Sequence, residues 1–400
     1  MNRGLSEPSA TLAATVGLLA LASAMGIGRF SLTPILPLMQ HDVGLTFAQG
    51  GWLATGNYLG YLAGALISAA LTPQPARAIR WGLIAVSVLT LAMGFTGSPL
   101  LWFAFRLLAG MASAFVLVGV SAWAMPILAR SGRTQLSGRI FAGVGIGIAF
   151  AGLLGLVAGI GAWNSRSTWI VMGVVAAVLP FFLWRPVAAD TVAPAAIALK
   201  RRNGLPRRAV VAAVCYGLFG YGYIIPATFL PALARGYIDN PMVFGWVWPV
   251  FGAAAALSTL VAARFGHRVA PWRLWTGAQW VLAAGVLAPV VSLNLVTLLT
   301  AAICVGGTFM VITMAGITEV LRVAGSQASQ GVGMMTAAFA VGQIAGPLTV
   351  SLLATVSLLA GSTNAFRMAS IIAALALVAG NCVLSADDGA VPVSDKRRER

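Results

Sequence analysis

Gly26-Ile27-Gly28-Arg29, followed by Leu36-Pro37, returns later in the chain as Gly220-Tyr221-Gly222-Tyr223, followed by Leu230-Pro231. Each paired position is offset by 194 residues. A second pair keeps the same offset, since Gly51-Trp52 matches Gly245-Trp246. One glycine match means little, but two separate segments in one register mark an internal repeat. Both copies begin inside apolar runs, so the repeated unit is built from hydrophobic segments.

Composition says what solvent those segments meet. Of 400 residues, 59% are hydrophobic and 8% are charged, and mean hydropathy is +0.91. A soluble domain carries about 25% charged residues. Charge this sparse cannot keep a soluble surface hydrated. That excludes a cytosolic enzyme, a secreted disulfide scaffold and a disordered chain. The 46 glycines suit packed membrane helices. A membrane helix needs about 20 mostly apolar residues. Twelve runs qualify: 11–38, 49–71, 79–97, 99–126, 138–161, 167–184, 209–233, 243–263, 272–292, 294–320, 330–355 and 362–384. The first has the Arg3 and Ala22-Ser23-Ala24 features of a secretory signal, but it is too long and is repeated later.

The expected fold is therefore an all-α integral membrane protein of twelve transmembrane helices. The long connection, 185–208, holds Pro186, Pro194 and Pro206 and the basic residues Lys200, Arg201, Arg202, Arg207 and Arg208. It separates a six-helix half at 1–184 from another at 209–384, with a tail at 385–400. Six spans lie between repeat copies, so the copies share one orientation. That is a parallel repeat about an axis along the membrane normal.

With the N-terminus inside, twenty of the 25 cations fall on the cytoplasmic side. The five others are Arg29, Arg106, Arg166, Arg235 and Arg367. This asymmetry places both termini in the cytoplasm. The basic loop reads as a topology signal, with anionic lipid as an additional partner and nucleic acid not expected. Cys215, Cys304 and Cys382 lie in apolar runs and read as small core residues. Small residues recur every fourth position in three spans. Gly56, Gly60 and Gly64 lie in the second; Gly143, Gly147, Ala151, Gly155 and Gly159 in the fifth; Ala338, Gly342 and Gly346, then Pro347, in the eleventh. Such stripes let helix backbones approach closely. They serve either static packing or a sliding contact between the halves.

Twelve spans, a six-plus-six parallel repeat and a basic central loop together resemble the major facilitator superfamily. Arg106-Leu107-Leu108-Ala109-Gly110 resembles its Arg-x-x-x-Gly motif, and Gly342-Gln343-Ile344-Ala345-Gly346-Pro347 its Gly-x-x-x-Gly-Pro motif. Arg264-Phe265-Gly266-His267-Arg268 is similar to its gating loop, giving Arg264, Gly266 and Arg268 as gating candidates. The matching loop at Thr72 to Arg77 lacks the acidic residue of that motif. Gly26 to Phe30 and Pro34 to Met39 resemble the opening of the bacterial YbfB/YjiJ-type subgroup. The resemblance implies a monomeric transporter in a bacterial inner membrane and says nothing of its cargo.

The chain has no Gly-x-x-x-x-Gly-Lys-[Ser/Thr] run, so no phosphate-binding loop is expected. No His, Cys and acid cluster has metal spacing, and no nucleophile has an evident base. Neither a cofactor nor an enzymatic activity is expected. Transport is then passive or driven by an ion gradient. A coupling proton is a candidate, although an intramembrane carboxylate to carry it is not obvious. Glu319 lies one turn from Arg322, and reads as an interfacial ion pair or as a proton carrier.

Two cations lie within spans at similar depth. At 1.5 Å per residue, Arg29 is roughly 12 Å and Arg106 roughly 9 Å from the outer face. Asn57 and Tyr61 share a face of the second span, Tyr223 is the repeat equivalent of Arg29, and Gln343 falls near mid-membrane. One reading puts Arg29, Arg106, Asn57, Tyr61, Tyr221, Tyr223 and Gln343 around a central substrate, with the two arginines attracting an anion. The other has each arginine satisfying exposed carbonyls near Gly26, Gly28 or Pro34. Three functions follow: a secondary transporter of a small organic anion, an exporter of lipophilic drug-like compounds, or a sensor that kept the fold.

Overall fold

The computed structural model describes residues 8–71, 73–188, 204–238, 240–356 and 362–389. Lys200, Arg201 and Arg202 of the basic loop and the cations of the tail lie outside the described residues. Twelve long helices follow the twelve apolar runs. They are α1 (Ala10–Asp42), α2 (Phe47–Leu71), α3 (Pro75–Ala92), α4 (Pro99–Arg130), α5 (Ser137–Ile160) and α6 (Ser165–Leu183). After the basic loop come α7 (Arg207–Arg235), α8 (Val247–Phe265), α9 (Pro271–Val291), α10 (Leu295–Ala324), α11 (Ala328–Thr355) and α12 (Ser362–Gly389). There are no strands among the described residues. Several helices outrun their apolar runs by a few residues, as α10 does from 320 to Ala324. Hydrophobicity stops at the headgroups, whereas the helical hydrogen-bond ladder continues through them.

Local chemistry sets the ends. Proline opens α3, α4 and α9, where its missing N–H breaks no helical bond. Asn164 caps α6 by accepting from the Ser167 N–H at 2.8 Å, and Asn294 with Thr297 forms a reciprocal capping box on α10. Eleven helices are long and apolar enough to span a bilayer by length and composition. The twelfth, α2, has the length but carries Gln49, Asn57, Tyr58 and Tyr61. Gln49 is exposed near its start, and Asn57, Tyr58 and Tyr61 turn inward and are buried.

The small-residue stripes pack helices within each expected half. A side chain at Gly60 would overlap the Leu107 carbonyl, and one at Gly56 would meet Phe103, both on α4. Gly64 faces Met111 of the same helix. Gly143, Gly147 and Gly155 face Leu18, Ala22 and Pro34 of α1, and Gly342 and Gly346 face Gly217 and Ile224 of α7. Of the glycines in these stripes, Gly159 faces the other half, at Pro241. A second face of α5, Gly145, Ala149 and Gly152, meets Ala256, Gly252 and Pro249 of α8. Helix α5 carries two small-residue faces, and the fourfold spacing picked out only one.

Gly60→Val is expected to cost about 1–3 kcal/mol, because the α2 and α4 backbones must separate. Gly277→Val, where a side chain would meet open space, is the control. Thermal unfolding in detergent should show a lowered melting temperature for the first variant alone.

Beside the α5–α8 seam, contacts across the chain midpoint gather at the end where α1 joins α2, the end expected from the cations to face outward. There Thr33 Oγ1 donates to the Ala227 carbonyl at 3.1 Å, and Arg235 Nη1 to the Pro37 carbonyl at 2.6 Å. Phe47 stacks on Phe229 at 4.6 Å, and Ser351 Oγ donates to the Ala48 carbonyl at 3.1 Å. Thr33 and Ala227 are themselves 194 residues apart, so equivalent positions of the repeat meet. At the opposite end the first turns of α1, Ala10–Leu21, make no extended contact with α7 among the described residues, nor does α4 with α10. There α5 and α8 stay together, where Gly138 faces Ala263.

Candidate functional site

The site begins with a defect in α1. Residues Ala22–Arg29 form a π-helical stretch, a widened turn common at functional sites. The sequence favours it. Gly26 and Gly28 loosen the backbone, and Pro34 has no N–H to return to the preceding turn. The Phe30 N–H reaches back to Met25 at 3.3 Å, and the Thr33 N–H goes to Phe30 rather than to Arg29. The carbonyls of Gly28 and Arg29 are left without their usual helical donors.

Arg106 supplies those donors. Its Nη1 donates to the Gly28 carbonyl at 2.9 Å and its Nη2 to the Arg29 carbonyl at 2.5 Å. Ser113, two turns along α4, donates to the Ala24 carbonyl at 2.8 Å. A bare carbonyl in a membrane interior costs several kcal/mol, so α4 holds the broken stretch in shape. The α2–α4 seam supports this, because Asn57 Nδ2 donates to the carbonyl of Arg106 at 2.9 Å.

The Arg29 side chain leaves the break in the other direction. Its Nη2 donates to Gln343 Oε1 of α11 at 2.5 Å, and Gln343 Nε2 donates in turn to the Tyr223 hydroxyl of α7. The guanidinium carbon lies 4.1 Å from the centre of the Tyr61 ring, 5.0 Å from Tyr58 and 5.5 Å from Phe30. Aromatic faces partly replace the water that a buried cation has lost. Tyr58 is itself tied across to Thr228, hydroxyl to hydroxyl, at 3.2 Å. Tyr223 lies nearly parallel to Phe309 and Phe339, with centroids 5.5 and 5.7 Å away.

Arg29 is only 3% exposed and Arg106 2%, and among the described residues neither has a carboxylate within ion-pair distance. Arg29 Nε is buried without a hydrogen-bond partner. The carboxylates described elsewhere are engaged. Asp42 accepts from the Ser165 N–H at the start of α6, and Glu319 holds Arg322 at 2.6 Å. Two adjacent guanidinium groups thus lie buried with no carboxylate at ion-pair distance among the described residues.

The structure thus brings Arg29, Tyr61, Tyr223 and Gln343 into one cluster, with Arg106 behind it through the Arg29 carbonyl. Asn57 belongs to the α2–α4 seam. Tyr221, half-buried, donates to Thr349 Oγ1 at 3.4 Å on α11, apart from the cluster. Arg264 and Arg268 both lie over Phe265 at the far end of α8, beside Gly266, well away from Arg29 in the chain's span. Pro347 follows Gly346 within α11, where its carbonyl comes close to Gly51. Phe30, Tyr58 and Thr228 were not among the sequence candidates. Tyr58 precedes Tyr61 by three residues, the spacing of one helix face, and could have been found by it.

A family model described as "Uncharacterised MFS-type transporter YbfB" matches residues 21–385. The uncharacterized MFS-type transporter YceJ of Bacillus subtilis (strain 168) is 26% identical over 281 residues, covering 65% of this chain and 68% of that protein. Among solved structures, a mutant of the nucleoside transporter NupG superposes with a TM-score of 0.73 at 14% identity, covering 94% of this chain and 99% of that one. A bacterial homologue of the human lysosomal transporter Spinster, inward-facing and occupied, gives a TM-score of 0.72 at 14% identity, covering 94% and 96%. Both structural likenesses concern the fold.

Proposed function

The chain belongs to the YbfB-type family of the major facilitator superfamily, and from that premise we propose that it is a secondary transporter of a small organic anion, working by alternating access. The observation that carries this reading is Arg29, a buried guanidinium with an unpartnered Nε and no carboxylate beside it among the described residues. A carboxylate arriving there would supply the missing counterion.

The moving bodies are the halves 1–184 and 209–384, joined by 185–208. The meeting of Thr33 with Ala227 supports an axis passing close to that contact. The contacts at the α1–α2 end, and the separation of α1 from α7 at the other, support a carrier closed outward and open inward. This orientation takes both termini and the tail 385–400 as cytoplasmic, in a bacterial inner membrane, with the monomer as the working unit. An ion gradient drives the cycle. Glu319 sits in a two-point ion pair with Arg322, which favours a structural role for it over proton carriage.

The test is a thermal-shift screen of the detergent-purified protein against carboxylates and lipophilic cations. A ligand that binds only the folded state raises the melting temperature. Carboxylates should stabilise the wild type and leave Arg29→Met unmoved. A second reading, export of lipophilic compounds, is favoured by the aromatic group Phe219, Tyr223, Phe309 and Phe339. It replaces the first if only lipophilic compounds stabilise, and both proteins respond alike.

A further inference from the structure

Two arginines in this chain show the same guanidinium edge in different states of use. Arg322 grips Glu319 side-on, Nε to Oε2 at 3.1 Å and Nη2 to Oε1 at 2.6 Å. Arg29 uses half of that edge. Its Nη2 donates to Gln343 Oε1 at 2.5 Å, while its Nε is buried and has no partner. The edge matches the two oxygens of a carboxylate. A glutamine amide offers one oxygen, and the other arm of Gln343 is a donor committed to the Tyr223 hydroxyl. Gln343 is fully buried, on a helix from the other half of the repeat.

We infer that Gln343 is a built-in place-holder for the cargo carboxylate. In this assignment, cargo taking both Nε and Nη2 of Arg29 competes with the Gln343 oxygen for the Nη2 N–H on that edge. Anion binding and the α1–α11 hydrogen bond therefore exclude one another. In the empty carrier that bond, relayed to Tyr223 on α7, helps hold the α1–α2 end shut. In the loaded carrier it is broken, so cargo shifts the equilibrium toward opening by its preference for the state without the bond. The place-holder role rests on the organic-anion reading above. The latch role rests only on the Arg29–Gln343–Tyr223 chain of hydrogen bonds.

Two substitutions push this device in opposite directions. Gln343→Glu supplies an internal carboxylate that completes the Arg29 edge, and Gln343→Leu removes the bond. The reporter is Thr33→Cys at the buried α1–α7 seam, in protein whose Cys215, Cys304 and Cys382 are replaced by alanine. Maleimide labelling in detergent, without ligand, reads how often the seam opens. Relative to the parent, Gln343→Glu should label about tenfold more slowly and Gln343→Leu about tenfold faster, the effect of one hydrogen bond to a charged group. Equal rates in all three proteins would overturn the latch.

Melting curves with benzoate, lactate and succinate test the place-holder itself. Any of these that stabilises the wild type should fail on Gln343→Glu and still act on Gln343→Leu. A shift that survives in Gln343→Glu rules the place-holder out. If none stabilises the wild type, the place-holder falls together with the organic-anion reading, and the labelling rates decide the latch alone.

Discussion

Arg29→Met is expected to weaken carboxylate binding by about thirtyfold or more while leaving the melting temperature nearly unchanged. Removing one partner of a buried, hydrogen-bonded charge pair costs 2–5 kcal/mol of binding, and each 1.4 kcal/mol is tenfold. The empty protein loses far less. A guanidinium at mid-span is unfavourable by about 2.5–3.5 kcal/mol on insertion scales. Contacts with Tyr61, Tyr58 and Phe30, and the bond to Gln343, offset that cost. Methionine keeps the apolar stem and removes the cost of the buried charge, which offsets the roughly 1–3 kcal/mol of leaving the Gln343 oxygen without its donor. Arg29→Lys should bind in between, since an ammonium keeps the charge and loses the two-point edge. Titration by calorimetry with a stabilising carboxylate checks the affinities. Wild-type affinity in Arg29→Met would end the anion reading.

Arg106→Leu should show the reverse pattern, with a large loss of stability. Its guanidinium is the donor for the Gly28 and Arg29 carbonyls, and no other donor to these is recorded among the described residues. Stranding two buried acceptors costs about 2–6 kcal/mol, which for a chain of 400 residues lowers the melting temperature by roughly 2–7 °C. Arg106→Lys should recover part of the loss, because one ammonium can reach one carbonyl well and not two in a fixed fork. The measurement is thermal unfolding in detergent without ligand. A wild-type melting temperature in Arg106→Leu would mean that the widened turn of α1 stands without α4.

The contrast between these residues separates what each level of description can hold. Depth was legible in the chain, since Arg29 and Arg106 count to nearly the same level of the membrane, and the structure puts the second against the carbonyl of the first. Roles were not. Arg106 turns back to a backbone, and Arg29 reaches across to a residue 314 positions away. Tyr223 is the repeat equivalent of Arg29, and the two meet through Gln343, as positions near a twofold axis do.

Span number, orientation signal and repeat were carried by the sequence itself. Bilayer thickness and hydrophobicity act along one dimension, and a run of 20 apolar residues records them locally. The widening of α1 at Ala22–Arg29, the choice of α1 rather than α8 as neighbour to Gly147 and Gly155, and the aromatic shell that adds Tyr58 and Phe30 were decided by tertiary structure. Each depends on which distant backbone fills a groove, and on where a buried donor finds its acceptor. No local pattern encodes that choice, because the partners become neighbours only when the helices pack.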